Sequence, residues 1–488
     1  MGFVQSLFHS DVNPLNHKSR TLPLLNVVDK YGRTFHLSWI GFFVAFLSWF
    51  AFPPLIHDII RKDLQLTHTQ IANSNIIALL ATFLVRLFVG PLCDRYGPRY
   101  VMIGCLLAGA IPTALTPLIK DATGLIIIRF FVGILGGTFV PCQVWTSQFF
   151  DKNIIGLTNA LAAGLGNAGG GVIFFLMPAV VFHLMYNHDI SQYWAWRIAF
   201  PMGPLVIILC VTIITLIFGH DTPTGPWSTR HLYEDRRVDD EGHPEMAEIT
   251  SKTEDELSHF LSSSQIPPTT HVAAPAKEFN DVRIVAEKDE LPRTSVVIDL
   301  LNIASSSQTL LVAIPYLCSF GSELAVEGVI SDFYIQTTKV YDGKVWNSQT
   351  AGNWAAIFGL LNIVTRPLGG YISDVLYRYK AIFFICIGLT KLKIYTLISL
   401  MTGLAIFIEA ANGAVFALVP SIHPKFNGVV SGVTGAFGNV GGVLFCLIFR
   451  YLGTDYYKAL WIIGVCCLGC NLGIIWIPLK NTNKQEHI

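Results

Sequence analysis

Between His36 and residue 478 the chain is a succession of apolar stretches, each about as long as a bilayer is thick, ~20 residues. They fall near 36–56, 71–91, 100–119, 124–146, 158–183 and 198–219, then near 308–336, 350–372, 381–420, 428–450 and 456–478. The stretch 381–420 is long enough for two crossings, so the natural count is six plus six. Composition agrees: 52% of the residues are hydrophobic and 14% charged, against roughly 25% charged in soluble domains. The fold class expected is an all-α polytopic membrane protein embedded in a lipid bilayer.

The long polar interval, 220–300, is rich in Asp, Glu, Lys, Arg, Ser, Thr and Pro and reads as a largely disordered loop. Its plain role is to join the halves; its sharper one is a platform for a regulatory kinase. The organisation expected is a segment 1–35, a six-helix bundle 36–219, the loop 220–300, a second bundle 301–479 and a tail 480–488. Residues 1–35 are polar and mixed, so no cleavable signal is read. Lys18, Arg20, Lys30, Arg33, Arg95, Arg99 and Lys152 outweigh Arg61, Lys62 and Lys120 across the membrane, which places both termini and the loop in the cytoplasm.

Net charge is zero, which argues against a nucleic-acid partner. Most of the ten cysteines sit inside apolar runs, and Cys466-Cys467-x-x-Cys470 has no matching His/Cys set. They read as small packing residues rather than metal ligands. An enzyme would want converging His, Ser or Cys sets within the spans, and His183 stands alone. No cofactor pattern is found.

Two arginines lie deep in apolar segments with the same escort: Arg86-Leu-Phe-Val-Gly90-Pro-Leu-Cys-Asp94 and Arg366-Pro-Leu-Gly-Gly370-Tyr-Ile-Ser-Asp374. Four-residue spacing stacks Arg, Gly and Asp on one helix face. A guanidinium at the bilayer centre costs about 2.5–3.5 kcal/mol even on lenient scales. Two in matching contexts indicate a duplicated chain with a paired cationic site, whose partner is an anion. Buried carboxylates at Glu323, Glu327 and Glu409 could carry a proton, or simply neutralise a cation.

A second motif is also doubled. Gly164-Leu-Gly166-Asn167-Ala-Gly169-Gly170 lies over Ala436-Phe-Gly438-Asn439-Val-Gly441-Gly442. The first copy satisfies G-x-G-x-x-G, but it sits inside an apolar helix rather than at the mouth of a βαβ unit, so nucleotide binding is not implied. Such glycines let helices approach backbone to backbone. Asn167 and Asn439 go beyond packing, because packing alone does not ask for the same buried amide twice.

The continuation Asp94-Arg95-Tyr96-Gly97-Pro98-Arg99 resembles the signature after the second helix of the major facilitator superfamily. The doubled glycine runs resemble the nitrate signatures of its nitrate/nitrite porter family. Phe35–Pro54 and Glu409–Pro420 look like the fungal members. The resemblance covers nearly the whole chain and weakens around 381–400. It implies twelve transmembrane helices as two pseudo-symmetric six-helix bundles.

By that resemblance Arg86 and Arg366 hold the anion. Tyr316, Phe320, Phe46, Phe139 and Phe416 are the matching aromatic positions, with Asn167 and Asn439 beside them. Gly166, Gly169, Gly170, Gly438, Gly441 and Gly442 are then packing or gating positions, and Asp94 and Arg95 a gating cluster. The activity implied is proton-coupled import of nitrate, and of nitrite too, across the plasma membrane. Alternatives are a nitrate/nitrite exchanger, another small-anion or organic-anion carrier, or a nitrate sensor.

Overall fold

Helices occupy the apolar stretches, and several begin where the sequence supplies a cap. The computed structural model describes residues 3–229, 302–343, 345–369, 383–389, 392–423 and 426–474. In the first half α1 spans Lys30–Leu64, α2 His68–Tyr96, α3 Pro98–Leu118, α4 Ala122–Phe149, α5 Ile155–Asn187 and α6 Gln192–Phe218. In the second, α7 is Ser307–Glu327 continued by Ile330–Thr337, and α8 is Ser348–Leu360 continued by Asn362–Gly369. Residues 383–389 form α9; α10 spans Ile394–Ile422, α11 Asn427–Leu452 and α12 Tyr456–Ile474.

Thr67 opens α2 with a capping box closed by Gln70. Asp121, Ser306 and Asn347 accept from the N–H three residues on, at the starts of α4, α7 and α8. A single residue, Gly97 at φ 89°, turns α2 into α3, and Pro98 starts the new helix. A β-carbon on Gly97 would also stand 3.0 Å from the Trp227 ring.

Among the described residues ten helices are long and apolar enough to cross a membrane. The other two crossings differ from the sequence expectation in instructive ways. The interval 381–420 is not divided evenly: α10 takes 29 residues and starts at Ile394. Lys393 is extended at its N-cap, at the break rather than inside a helix, as suits a cation that avoids hydrocarbon. The second crossing, α8, breaks at Leu361. The first helix starts at Lys30 rather than near His36, because Tyr31 and Phe35 are already buried. Most of the 220–300 loop, the 480–488 tail, Gly370 and Asp374 lie outside the described residues.

The halves meet along α2 against α11 and α5 against α8 and α10, while α5 packs on α1 and α11 on α7 within each half. Glycines set these distances. A β-carbon on Gly169 would fall on the backbone of Phe43 and Leu47, and one on Gly441 on the carbonyl of Leu317. Across the interface Gly90 meets Gly428, Gly164 meets the Asn362 carbonyl, and Gly171 meets Gly359. Backbones this close leave no room for side chains.

Both mouths of the interface are closed. On the face where α1 begins, Asp94 accepts from the N–H groups of Gly428 and Val429, 3.2 Å each, capping α11 from the other half. On the opposite face Ser348 donates to Asp58 at 2.9 Å and Arg450 donates to Asn73 at 2.7 Å. The side chains between the two mouths, Arg86, Tyr316, Phe320 and Arg366, are fully buried.

Candidate functional site

Two fully buried guanidiniums occupy the centre, Arg86 from α2 and Arg366 from α8. They flank one ring: the guanidinium carbons lie 5.3 Å and 5.6 Å from the centre of Phe320. Cation–π attraction of this kind strengthens where water is excluded. Arg86 also sits 5.0 Å from the Phe139 ring.

The two differ in what holds them. Arg86 Nε donates to the Gly136 carbonyl at 2.9 Å, and Nη1 to the Gly435 carbonyl at 2.8 Å. Among the described residues no carboxylate pairs with it. Arg366 Nε donates to Asn362 Oδ1, and Nη2 donates to Glu323 Oε2 at 3.1 Å. Arg86 Nη2 and Arg366 Nη1 are buried without a hydrogen-bond partner. An unpaired charged donor in a dry site is costly, so each calls for an acceptor.

Aromatic rings line the space. Phe139 stacks parallel to Tyr316 and Phe320 and meets Phe416 edge-on at 4.6 Å. Tyr316 stacks on Phe320 at 4.9 Å. Its hydroxyl stands beside the Arg366 guanidinium without a hydrogen bond of ordinary geometry. Phe46 is one ring back, against Phe42, Trp49 and Phe50; Phe42 is the α1 residue that reaches Phe139, at 5.3 Å.

The paired asparagines are placed alike. Asn167 and Asn439 each donate to the carbonyl four residues back in their own helix, at 3.0 Å, and each leaves Oδ1 without a partner. The Gly435 carbonyl serves both Asn439 and Arg86, so this amide is tied to the cationic site through one shared acceptor. Gly166 lies under Phe42, and Gly438 under Phe320 and Tyr316, where a β-carbon would collide with the rings. Gly170 and Gly442 have more room: their nearest side-chain atoms would be 3.5 Å and 3.1 Å away. Arg95 lies at the end of α2 over the Tyr96 ring, well away from this centre.

Three features escaped the sequence reading. Asn362 and Asn412 both donate to Glu323, at 3.1 Å and 2.5 Å. Their spacing held a clue, since Asn362 is four residues before Arg366 and Asn412 three after Glu409. Two further arginines are buried besides the pair. Arg129 donates to Ser74 and Asn75, and Arg197 pairs with Asp63 at 2.6 Å.

Comparison with known proteins places this architecture. The Major Facilitator Superfamily model matches residues 38–446. The chain belongs to the Major Facilitator Superfamily. It is a membrane transporter rather than an enzyme. Among similar superfamily members is High affinity nitrate transporter 2.5 of Arabidopsis thaliana, 32% identical over 94% of this chain and 82% of its own length. Another is Elsinochrome transporter 1 of Elsinoe fawcettii, 30% identical over 95% and 96%. A third is Nitrate/nitrite transporter NrtP of Nostoc punctiforme, 28% identical over 92% of each chain.

Proposed function

We propose that this carrier imports nitrate, and nitrite with it, by proton symport across the plasma membrane, with the anion held between Arg86 and Arg366. The observation that carries the reading is the pair of buried guanidiniums on one Phe320 ring, each with an unpaired terminal nitrogen. A guanidinium is a planar fork of donors that stays charged, and a planar monovalent oxyanion matches it. Relatives named for nitrate support the choice of anion. Alternating access then opens one closed mouth at a time around a fixed centre, with the termini and central loop in the cytoplasm.

Energetics calls for the proton. Import of an anion against an inside-negative potential costs about 2.3 kcal/mol per 100 mV. Two protons per nitrate make the step net positive inward, so the potential assists it. An exchanger of nitrate for internal nitrite is the nearest alternative, and would be electrically silent.

A second reading, carriage of an organic solute, is raised by the relative named for elsinochrome. Against it stand the rings of Phe139, Tyr316, Phe320 and Phe416, packed 4.6–6.5 Å apart around the arginines. Such packing suits a small anion. Uptake of nitrate, nitrite and chlorate, in cells lacking their own carrier, decides between them. Nitrate-evoked inward current at acidic external pH, abolished by a protonophore, is expected. Silent, pH-independent uptake would indicate exchange, and no nitrate uptake would favour the organic cargo.

A further inference from the structure

Glu323 sits on α7 three residues beyond Phe320 and is 1% exposed. Its carboxylate accepts from Arg366 Nη2 at 3.1 Å, from Asn362 at 3.1 Å and from Asn412 at 2.5 Å. Every one of these donors comes from α8 or α10, so the carboxylate also bridges three helices. A buried ion pair is weak evidence for stability, since desolvation of the two charges offsets most of their attraction. A transport site that must bind an anion has a further reason to avoid it: the carboxylate neutralises the guanidinium whose charge the anion needs.

We propose that Glu323 carries one of the coupled protons, by competing with the anion for Arg366. The inference rests on the reading of this chain as a proton-driven anion importer. Ionised, Glu323 neutralises Arg366 and repels an incoming oxyanion. Protonated, it forms a neutral carboxylic acid and frees the guanidinium charge. The anion then binds between Arg86, whose charge no carboxylate offsets among the described residues, and Arg366. The step adds one proton to a carboxylate oxygen, breaks no covalent bond and lets the side chain draw back from Arg366; release of the anion restores the ion pair and expels the proton.

The surroundings single out this acid. Facing Glu323 are Arg366 from α8, Glu409 from α10, and Tyr316 and Glu327 from its own helix, with Arg86 across the Phe320 ring. Three carboxylates around one guanidinium cannot all be ionised in a dry site. Glu323 alone has three donors. Glu409 accepts from Thr365 at 2.7 Å and its Oε1 has no partner, and Glu327 Oε2 has none. Of the three, Glu323 is the one in hydrogen-bond contact with Arg366 among the described residues, so loss of its charge acts directly on that guanidinium.

The test is nitrate affinity of the purified full-length protein across a pH series, wild type against Glu323→Gln, which mimics the protonated acid. Wild-type affinity is expected to fall as pH rises, by up to about tenfold per unit over the range in which one proton is linked. Glu323→Gln is expected to bind with little pH dependence, at alkaline pH as tightly as wild type does at acid pH. In reconstituted vesicles it should lose proton-driven accumulation. A wild-type pH slope in Glu323→Gln overturns the proposal. So does loss of binding at every pH with the fold intact by thermal melting, which would make Glu323 a structural prop for Arg366. A wild type that binds no nitrate at all would instead sink the proposed function, and this inference with it.

Discussion

Arg86 and Arg366 stand at matching positions of a duplicated fold, yet they are held by different chemistry. The scaffold around them repeats closely. Gly136-Gly137-Thr138-Phe139 lies over Gly413-Ala414-Val415-Phe416, and the stacked pair Tyr316 and Phe320 answers Phe42 and Phe46. In that register Glu323 corresponds to Trp49, Glu409 to Val132 and Asn412 to Leu135. The first half therefore presents its arginine on carbonyls and rings, and the second embeds its own in an acid–amide cluster. One positive charge thus stands without a carboxylate among the described residues, and the other is offset by Glu323. Duplication supplied the geometry; divergence at a few inward positions supplied the asymmetry.

The sharpest way to break this comparison is to replace each arginine by lysine, which keeps the charge and loses the fork. Hydrogen bonds to charged groups contribute about 1.5–3 kcal/mol, so nitrate affinity should fall roughly 10- to 100-fold in Arg86→Lys and in Arg366→Lys. Radiotracer uptake with surface labelling of the carrier measures it. Normal affinity in either variant would leave a one-sided site and remove the clamp.

The glycine helices sharpen the comparison from the other direction, because here the halves should behave alike. Gly169→Leu and Gly441→Leu each drive a side chain into a neighbouring backbone. Both should stop uptake by jamming helix movement while protein still reaches the membrane. Gly435→Ala should be milder than Gly164→Ala. The first would place a β-carbon 3.2 Å from the end of the Arg86 side chain, which can shift, and the second would strike the Asn362 carbonyl, which cannot. Equal losses in uptake from these two would show that proximity to an arginine, not backbone clearance, sets the cost.

The smallest effect belongs to the closed mouth. Asp94→Asn weakens a charge-assisted cap on α11, worth about 1 kcal/mol, which should tilt the two accessible states by roughly fivefold. Cysteine accessibility from the α1-start side, before and after the substitution, reports it. Unchanged accessibility would mean that Gly90 and Gly428 close that mouth by packing alone.

Much of this was legible in the sequence because membranes write coarse rules. Apolar runs of bilayer length announce helices, a cation inside them announces a site, and Gly-rich repeats announce close approach. What stayed hidden was partner choice. Nothing in the spacing of Glu323 and Arg366 says that α7 and α8 bring them together, since they are long-range neighbours in the chain. Asn412 likewise reads as ordinary helix filler until α10 turns it onto Glu323. Arg129 was overlooked because its partners, Ser74 and Asn75, are neutral and lie on another helix. The extended backbone at Lys393 needed the actual start of α10, which hydropathy blurs.

The central claim is that one anion lies between the two arginines, and an experimental structure of the closed carrier with nitrate tests it most directly. The account predicts a planar density within hydrogen-bond reach of Arg86 Nη2 and Arg366 Nη1, against the Phe320 ring, with the Glu323 carboxylate drawn away from Arg366. Nitrate bound at any other place, with the Arg366–Glu323 contact intact and both nitrogens still unpaired, would contradict it.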